Sequence, residues 1–345
     1  MGEHADAVDL AVIGAGPCGL AAGIAARRAG VSCTLFDRGC VVSSISSYPT
    51  HMTFFSTADR LEIGGVPFVV VGEKPTRREA LRYYQRLADE FDLDVRQYEE
   101  VTDVAPDEGG RGFRLSTRTA TGAGHIYRAT HVVVATGYFD SPNLLGIPGE
   151  DLPNVRHNYR EPHVYFRQRC VVVGGGNSAV DAALELQRWG AAVTIVHFEP
   201  ALDPNIKPWV RPEIEARLRD GHIAARFAAR LAEVRAGSVL IRDEATGAVE
   251  ELPTDWVLAM TGYTPDGRML RSLGVAFDPE TGIPRHDPET METNVSGVYI
   301  AGVLTAGYNA NKVFIENGRG HGERIAAHVS GKVGGARQPV RGKAG

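Results

Sequence analysis

Residues 8–37 read VDLAVIGAGPCGLAAGIAARRAGVSCTLFD. The run Val8–Ile13, interrupted only by Asp9, suits a buried parallel strand. Gly14-Ala15-Gly16-Pro17-Cys18-Gly19 follows, then an alanine-rich helical stretch, then a second strand over residues 31–36 that runs into Asp37. Gly14 permits a tight turn, Gly16 lets the backbone approach a pyrophosphate, and Gly19 lets the helix close on the strand. The free N–H groups and dipole of the new helix favour phosphate. Asp37 stands about 20 residues past the turn, where a carboxylate can accept ribose hydroxyls. Glycine turns are common singly. Strand, turn, helix, strand and terminal acid in this order point to a dinucleotide, with Gly14, Gly16, Pro17, Gly19 and Asp37 as its contacts.

The pattern recurs about 160 residues later. Cys170-Val171-Val172-Val173 leads into Gly174-Gly175-Gly176-Asn177-Ser178-Ala179, an amphipathic helix over 180–189, a stop at Gly190 and a strand over 193–196. Gly174, Gly176, Asn177, Ser178 and Ala179 form this second phosphate turn, Ala179 being an accepted small residue in the third position. Two dinucleotides in one enzyme imply a flavin and a nicotinamide, because hydride can pass between them. The alternative is a duplication with one working site.

Two further strands end in small-residue turns: His131-Val132-Val133-Val134-Ala135-Thr136-Gly137 and Trp256-Val257-Leu258-Ala259-Met260-Thr261-Gly262. They bracket the second unit, beside the proline-bearing stretches 141–153 and 263–266. The expected fold is α/β, with two Rossmann-like dinucleotide-binding domains and the second inserted into the first. The expected boundaries are 1–138 and 265–345 for the first domain and 139–264 for the second. Gly297-Val298-Tyr299-Ile300-Ala301-Gly302 returns the chain to the first domain on another strand and turn.

Composition narrows the function. With 345 residues, 43% hydrophobic and 23% charged, the chain has length enough for two cores. A net charge of −5 argues against nucleic acid as a partner. No apolar run reaches the length of a membrane span, and MGEHADAVDL has neither the basic nor the apolar region of a signal peptide. Cys18, Cys33, Cys40 and Cys170 are irregularly spaced, which suits a reducing compartment and offers no metal set. The expected location is cytoplasmic.

The order GAGPCG, ATG, GGGNSA, TGY and GVYIAG resembles the two-dinucleotide flavoproteins of the thioredoxin-reductase type over essentially the whole chain. Tyr48-Pro49-Thr50-His51, Thr53-Phe54-Phe55-Ser56, Ile206-Lys207-Pro208-Trp209 and Phe314-Ile315-Glu316-Asn317-Gly318, with Cys18 inside the first turn, are similar to the YpdA family of bacillithiol disulfide reductases. The resemblance implies FAD in the first domain and NADPH in the second. It also implies a small-molecule disulfide substrate and a homo-oligomer, dimer or tetramer. Thr136, Gly137, Gly302 and Val313 are further flavin contacts it implies.

The chain departs from the wider group at three places. It has no Cys-x-x-Cys pair to relay electrons to thioredoxin. Val303 stands where an aspartate usually meets the flavin nucleotide, as in the YpdA family. The second unit's strand ends His197-Phe198-Glu199 where NADPH-dependent reductases usually carry arginines. Glu199 would repel a 2′-phosphate, leaving His197, Lys207 and Arg211 to neutralise it. NADPH is the expected nucleotide and NADH the other.

Three residues are candidates for the chemistry. Cys18 opens a helix, which lowers a thiol pKa and favours a thiolate able to attack a disulfide. A small packing residue is its other reading. Lys312 precedes a helix expected over 313–329, whose start the superfamily places at the flavin pyrimidine edge. A cation there stabilises charge on the reduced ring, unless Lys312 is simply solvated. His51, in the aromatic segment, could donate a proton to a leaving thiolate, or be structural. The rival functions are a ferredoxin- or flavodoxin-NADP reductase of the thioredoxin-reductase type, a flavin monooxygenase, and a non-catalytic redox sensor.

Overall fold

A computed structural model describes residues 2–3, 7–108, 112–309 and 312–336. The chain divides into two compact units: Met1–Ser46 with Met52–Ser141 and Thr264–Gly345, and Ser47–His51 with Pro142–Tyr263.

The first unit is built on an eight-stranded mixed sheet. Asp94–Gln97, Cys33–Asp37, Val8–Ile13, the end of Gly124–Val134, and Val298–Ile300 lie side by side in parallel. Strand Gly124–Val134 does two jobs along its length. Its first half pairs antiparallel with Phe113–Thr119, which pairs with Glu99–Pro106 in a meander. Its last residues, Val132 to Val134, sit fully buried between Val8–Ile13 and Val298–Ile300. Hydrophobic runs buried on both faces are what a parallel strand requires. One face packs Ala11, Ile13, Phe36, Val132 and Ile300 into a core with Leu115, Leu270 and Leu304. Helix Pro17–Arg28 buries Leu20, Ala22, Ile24 and Ala26 and runs close to helix His321–Ala336. A Cβ on Gly322 would stand 2.6 Å from the Ala22 backbone, so a glycine there lets the two helices touch.

The second unit repeats the theme with a five-stranded parallel sheet, in the order Ala224–Arg226, Ala192–Val196, Arg169–Val173, Trp256–Ala259, Val155–Arg156. Helix Asn177–Arg188 covers one face through Val180, Ala183, Leu184 and Leu186. A three-stranded antiparallel sheet, Ala229–Val234, Ser238–Asp243 and Val249–Pro253, brings Leu231, Val239 and Ile241 against Val171 and Val257 on the other.

The helix expected over 313–329 is two helices, Ile315–Gly318 and His321–Ala336. The Asn317 side chain caps the start of the first. Its Oδ1 accepts the Phe314 N–H at 2.7 Å and its Nδ2 donates to the Lys312 carbonyl at 2.9 Å. Asn311 lies outside the described residues. Among the described residues no helix is long and apolar enough to cross a membrane.

Candidate active site

In the first unit the parallel strands deliver three turns to one place. Gly14 has φ +110, and a Cβ on it would lie 2.4 Å from the Ala135 carbonyl oxygen. A Cβ on Gly19 would lie 1.9 Å from the Gly14 oxygen. Both positions are glycine by necessity. Gly16 differs: nothing lies within 4 Å of where its Cβ would be. It caps a helix with Pro17 in its first turn, no acid in that turn and no side-chain cap. The first backbone bond of the helix runs from Leu20 N–H to Gly16 C=O at 2.8 Å, so the N–H groups ahead of it are left for an outside acceptor. An open glycine beneath a helix N-terminus is the cradle a pyrophosphate needs, and the residues fit FAD.

Asp37 ends its strand, as its spacing predicts. Its two oxygens accept the Ala15 and Gly39 N–H groups, each at 2.8 Å. Burial raises its pKa, and those two backbone bonds oppose the rise. The carboxylate therefore ties strand end to phosphate turn and keeps lone pairs for a ribose.

Thr136 and Gly137 follow Ala135, whose N–H donates to Ile13 C=O at 2.8 Å and whose carbonyl abuts Gly14. Gly302 begins the third turn with φ +74, just after Ala301 donates to Val134 C=O at 3.1 Å. Cys18 sits among these turns. Cβ atoms built on Gly302 and Gly318 would stand 3.1 and 2.9 Å from its Sγ. Val313 packs with Tyr138 on Val303 and Ala306, and a Cβ built on Gly318 would lie 3.5 Å from its Cγ1. Val303 thus fills its position as a packing residue.

The expectation that a helix start lowers the Cys18 pKa does not hold. Burial pushes the thiol up to about 12. Lys312 is exposed, next to Val313, and its N–H donates to Asn309 C=O at 3.1 Å. His51 is exposed and belongs to the 47–51 segment of the other unit, where Thr50 N–H donates to Arg160 C=O at 2.8 Å. Cys18, Gly302 and Val313 are brought together within one unit; His51 is not part of that unit.

Sequence reasoning missed His321. Its Nδ1 accepts the Gly302 N–H at 3.1 Å, and burial, with Arg324 and His286 adding to it, lowers its pKa to about 4. The ring is a neutral acceptor that holds the third turn. No spacing announces it, because the partner lies 19 residues away on a different element.

The second unit repeats the phosphate cradle. Gly174 has φ +132, with a would-be Cβ 2.4 Å from the Met260 oxygen and 3.3 Å from the Ala179 side chain. Gly176 caps helix Asn177–Arg188 and, like Gly16, has open space where a Cβ would be. The residues fit a second dinucleotide. Asn177 straps the following loop: its Oδ1 accepts Lys207 N–H at 2.9 Å and its Nδ2 donates to Asn205 C=O at 3.2 Å. Ser178 is exposed on the first helical turn and Ala179 is buried. His197 is only 7% exposed and so close to Gly175 that a Cβ there would stand 2.4 Å from its ring. Its Nδ1 is buried without a hydrogen-bond partner among the described residues. Lys207 Nζ is bound to Asp181 at 2.6 Å, an acid the sequence reading did not weigh.

Comparison with known proteins agrees with this geometry. A family model described as pyridine nucleotide-disulphide oxidoreductase matches residues 11–302. The chain is 45% identical to bacilliredoxin reductase Bdr of Bacillus subtilis, over 92% of this chain and 96% of that one. It is similar to the solved bacillithiol disulfide reductase Bdr (YpdA) of Bacillus cereus, with TM-score 0.91, 42% identity, and coverage of 95% of this chain and 100% of that one. The Staphylococcus aureus counterpart gives TM-score 0.88 and 40% identity, with 96% and 99% coverage.

Proposed function

The chain belongs to the pyridine nucleotide-disulphide oxidoreductases, and within them to the Bdr (YpdA) group; from that premise we propose that it reduces bacillithiol disulfide with electrons from NAD(P)H. It is a flavoprotein enzyme whose cofactors are FAD and a nicotinamide nucleotide. The observation that carries the proposal is the pair of open glycine cradles, at Gly16 and Gly176, in a chain whose four cysteines are all free. When bound, the flavin supplies two-electron chemistry, taking hydride from the nicotinamide and passing two electrons to a disulfide. In balance, NAD(P)H, one proton and one disulfide give NAD(P)⁺ and two thiols.

The chain's own residues bind and orient. Gly14, Gly16, Pro17 and Gly19 shape the FAD phosphate turn, Asp37 takes the ribose, and Thr136, Gly137, Gly302 and Val313 line the flavin. Gly174, Gly176, Asn177, Ser178 and Ala179 hold the nicotinamide nucleotide's phosphates. Lys312 offers a cation for charge on the reduced ring. Cys18 enters as a neutral thiol, not as a resting thiolate. A cytoplasmic dimer or tetramer belongs to the same proposal.

The name of the B. subtilis relative favours a second acceptor, a bacilliredoxin. The test is anaerobic NAD(P)H oxidation by the flavin-loaded enzyme with bacillithiol disulfide, with an oxidised bacilliredoxin, and with a ferredoxin. Disulfide-dependent turnover with either of the first two supports the proposal. Turnover with the ferredoxin alone would replace it.

A further inference from the structure

A dinucleotide fold meets the adenosine ribose at the end of its second strand, where a carboxylate suits a 2′,3′-diol and a cation suits a 2′-phosphate. In the second unit that strand is Ala192–Val196, followed by His197-Phe198-Glu199. The cations tied to this strand end are already committed to carboxylates. Lys207 Nζ lies 2.6 Å from Asp181, with its side chain 14% exposed. Arg211 is held between Glu215 at 3.2 Å and the Asp203 carbonyl at 2.7 Å. Arg230 lies over the Phe198 ring at 4.5 Å and pairs with Glu244 at 3.2 Å. His197 adds no charge: burial, with Arg230 acting the same way, lowers its pKa against the pull of Glu199 and Asp203. Glu199 itself is exposed, three residues past the strand.

We propose that Glu199 selects NADH, its carboxylate accepting the 2′- and 3′-hydroxyls of the adenosine ribose and repelling the 2′-phosphate of NADPH. The proposal rests on the reading that the Gly174–Ala179 turn holds the nicotinamide nucleotide, and it reverses the NADPH expected from the sequence. Because Glu199 is exposed, its repulsion is screened, so discrimination weakens as salt rises.

Calorimetric titration of the flavin-loaded enzyme with NAD⁺ and with NADP⁺ tests it, beside Glu199→Arg and Glu199→Gln. The expected result is NAD⁺ binding at least about tenfold tighter than NADP⁺ at low salt, a ratio that falls in Glu199→Gln and inverts in Glu199→Arg. Should Glu199→Arg fail to fold, the Gln variant alone must lower the ratio. NADP⁺ binding as tightly as NAD⁺ in the natural enzyme, or a ratio unmoved by Glu199→Gln, overturns the proposal and leaves the nucleotide site standing. Binding of neither nucleotide by protein that retains its flavin overturns both.

Discussion

A thiol at the start of a helix feels two opposed effects, the dipole that lowers its pKa and desolvation that raises it, and for Cys18 desolvation sets the direction. The dipole is worth about 1 kcal/mol or less at most surfaces, while full desolvation moves a pKa by up to about 3–5 units. Burial holds Cys18, Cys33 and Cys170 each at about 12. Iodoacetamide at neutral pH should therefore add no more than one group per native chain, at Cys40, as read by intact mass and peptide mapping. Rapid labelling of Cys18 would contradict this account of it. His321 makes a pH prediction. The unfolded imidazole keeps its ordinary 6.5 while the folded one sits near 4, so between those values only the unfolded chain takes the proton. The stability it contributes is complete above about pH 6.5 and is lost as pH falls towards 4. The unfolding free energy from denaturant titrations should drop across that window by about 3 kcal/mol, and His321→Gln should flatten the slope. Asp37 and the turn glycines were legible in the sequence because local spacing fixes their roles. His321, Asp181 and Arg230 were not, since each meets its partner only after distant elements pack.

The glycine turn separates folding from binding within one element. Gly19→Ala drives a methyl into the Gly14 carbonyl, so it should cost about 2–3 kcal/mol of stability and yield protein depleted of flavin. Gly16→Ala meets nothing within 4 Å and leaves the flavin-free protein as stable as before. Its methyl stands where the pyrophosphate must approach, so FAD should bind at least about tenfold more weakly. Thermal melts of stripped protein and FAD titrations distinguish the two. Equal melting losses in both would count against the cradle. The strand–turn–helix units were readable because apolar run, glycine and acid fall at fixed intervals. The meander of Glu99–Pro106 and Phe113–Thr119 carries no such signal. The start of the short helix Ile315–Gly318 is capped by the Asn317 side chain, which helical periodicity does not reveal.

As a whole, the molecule contains two nucleotide units and no dithiol of its own to carry electrons outward. Light scattering of the flavin-loaded enzyme should give a mass of two or four chains; a monomer would remove the oligomer from the account. The acceptor was out of reach of composition and spacing alone, and entered through resemblance and then through relatives sharing 40–45% of their residues. The central claim is that electrons from a nicotinamide nucleotide reach a disulfide through bound flavin. Its most direct test is to reduce the bound flavin anaerobically with NAD(P)H, remove excess nucleotide, and add bacillithiol disulfide while following the flavin spectrum. The account predicts one-for-one return of oxidised flavin with release of two thiols per flavin. Flavin that stays reduced in the presence of the disulfide, and of a bacilliredoxin carrying it, would contradict the claim.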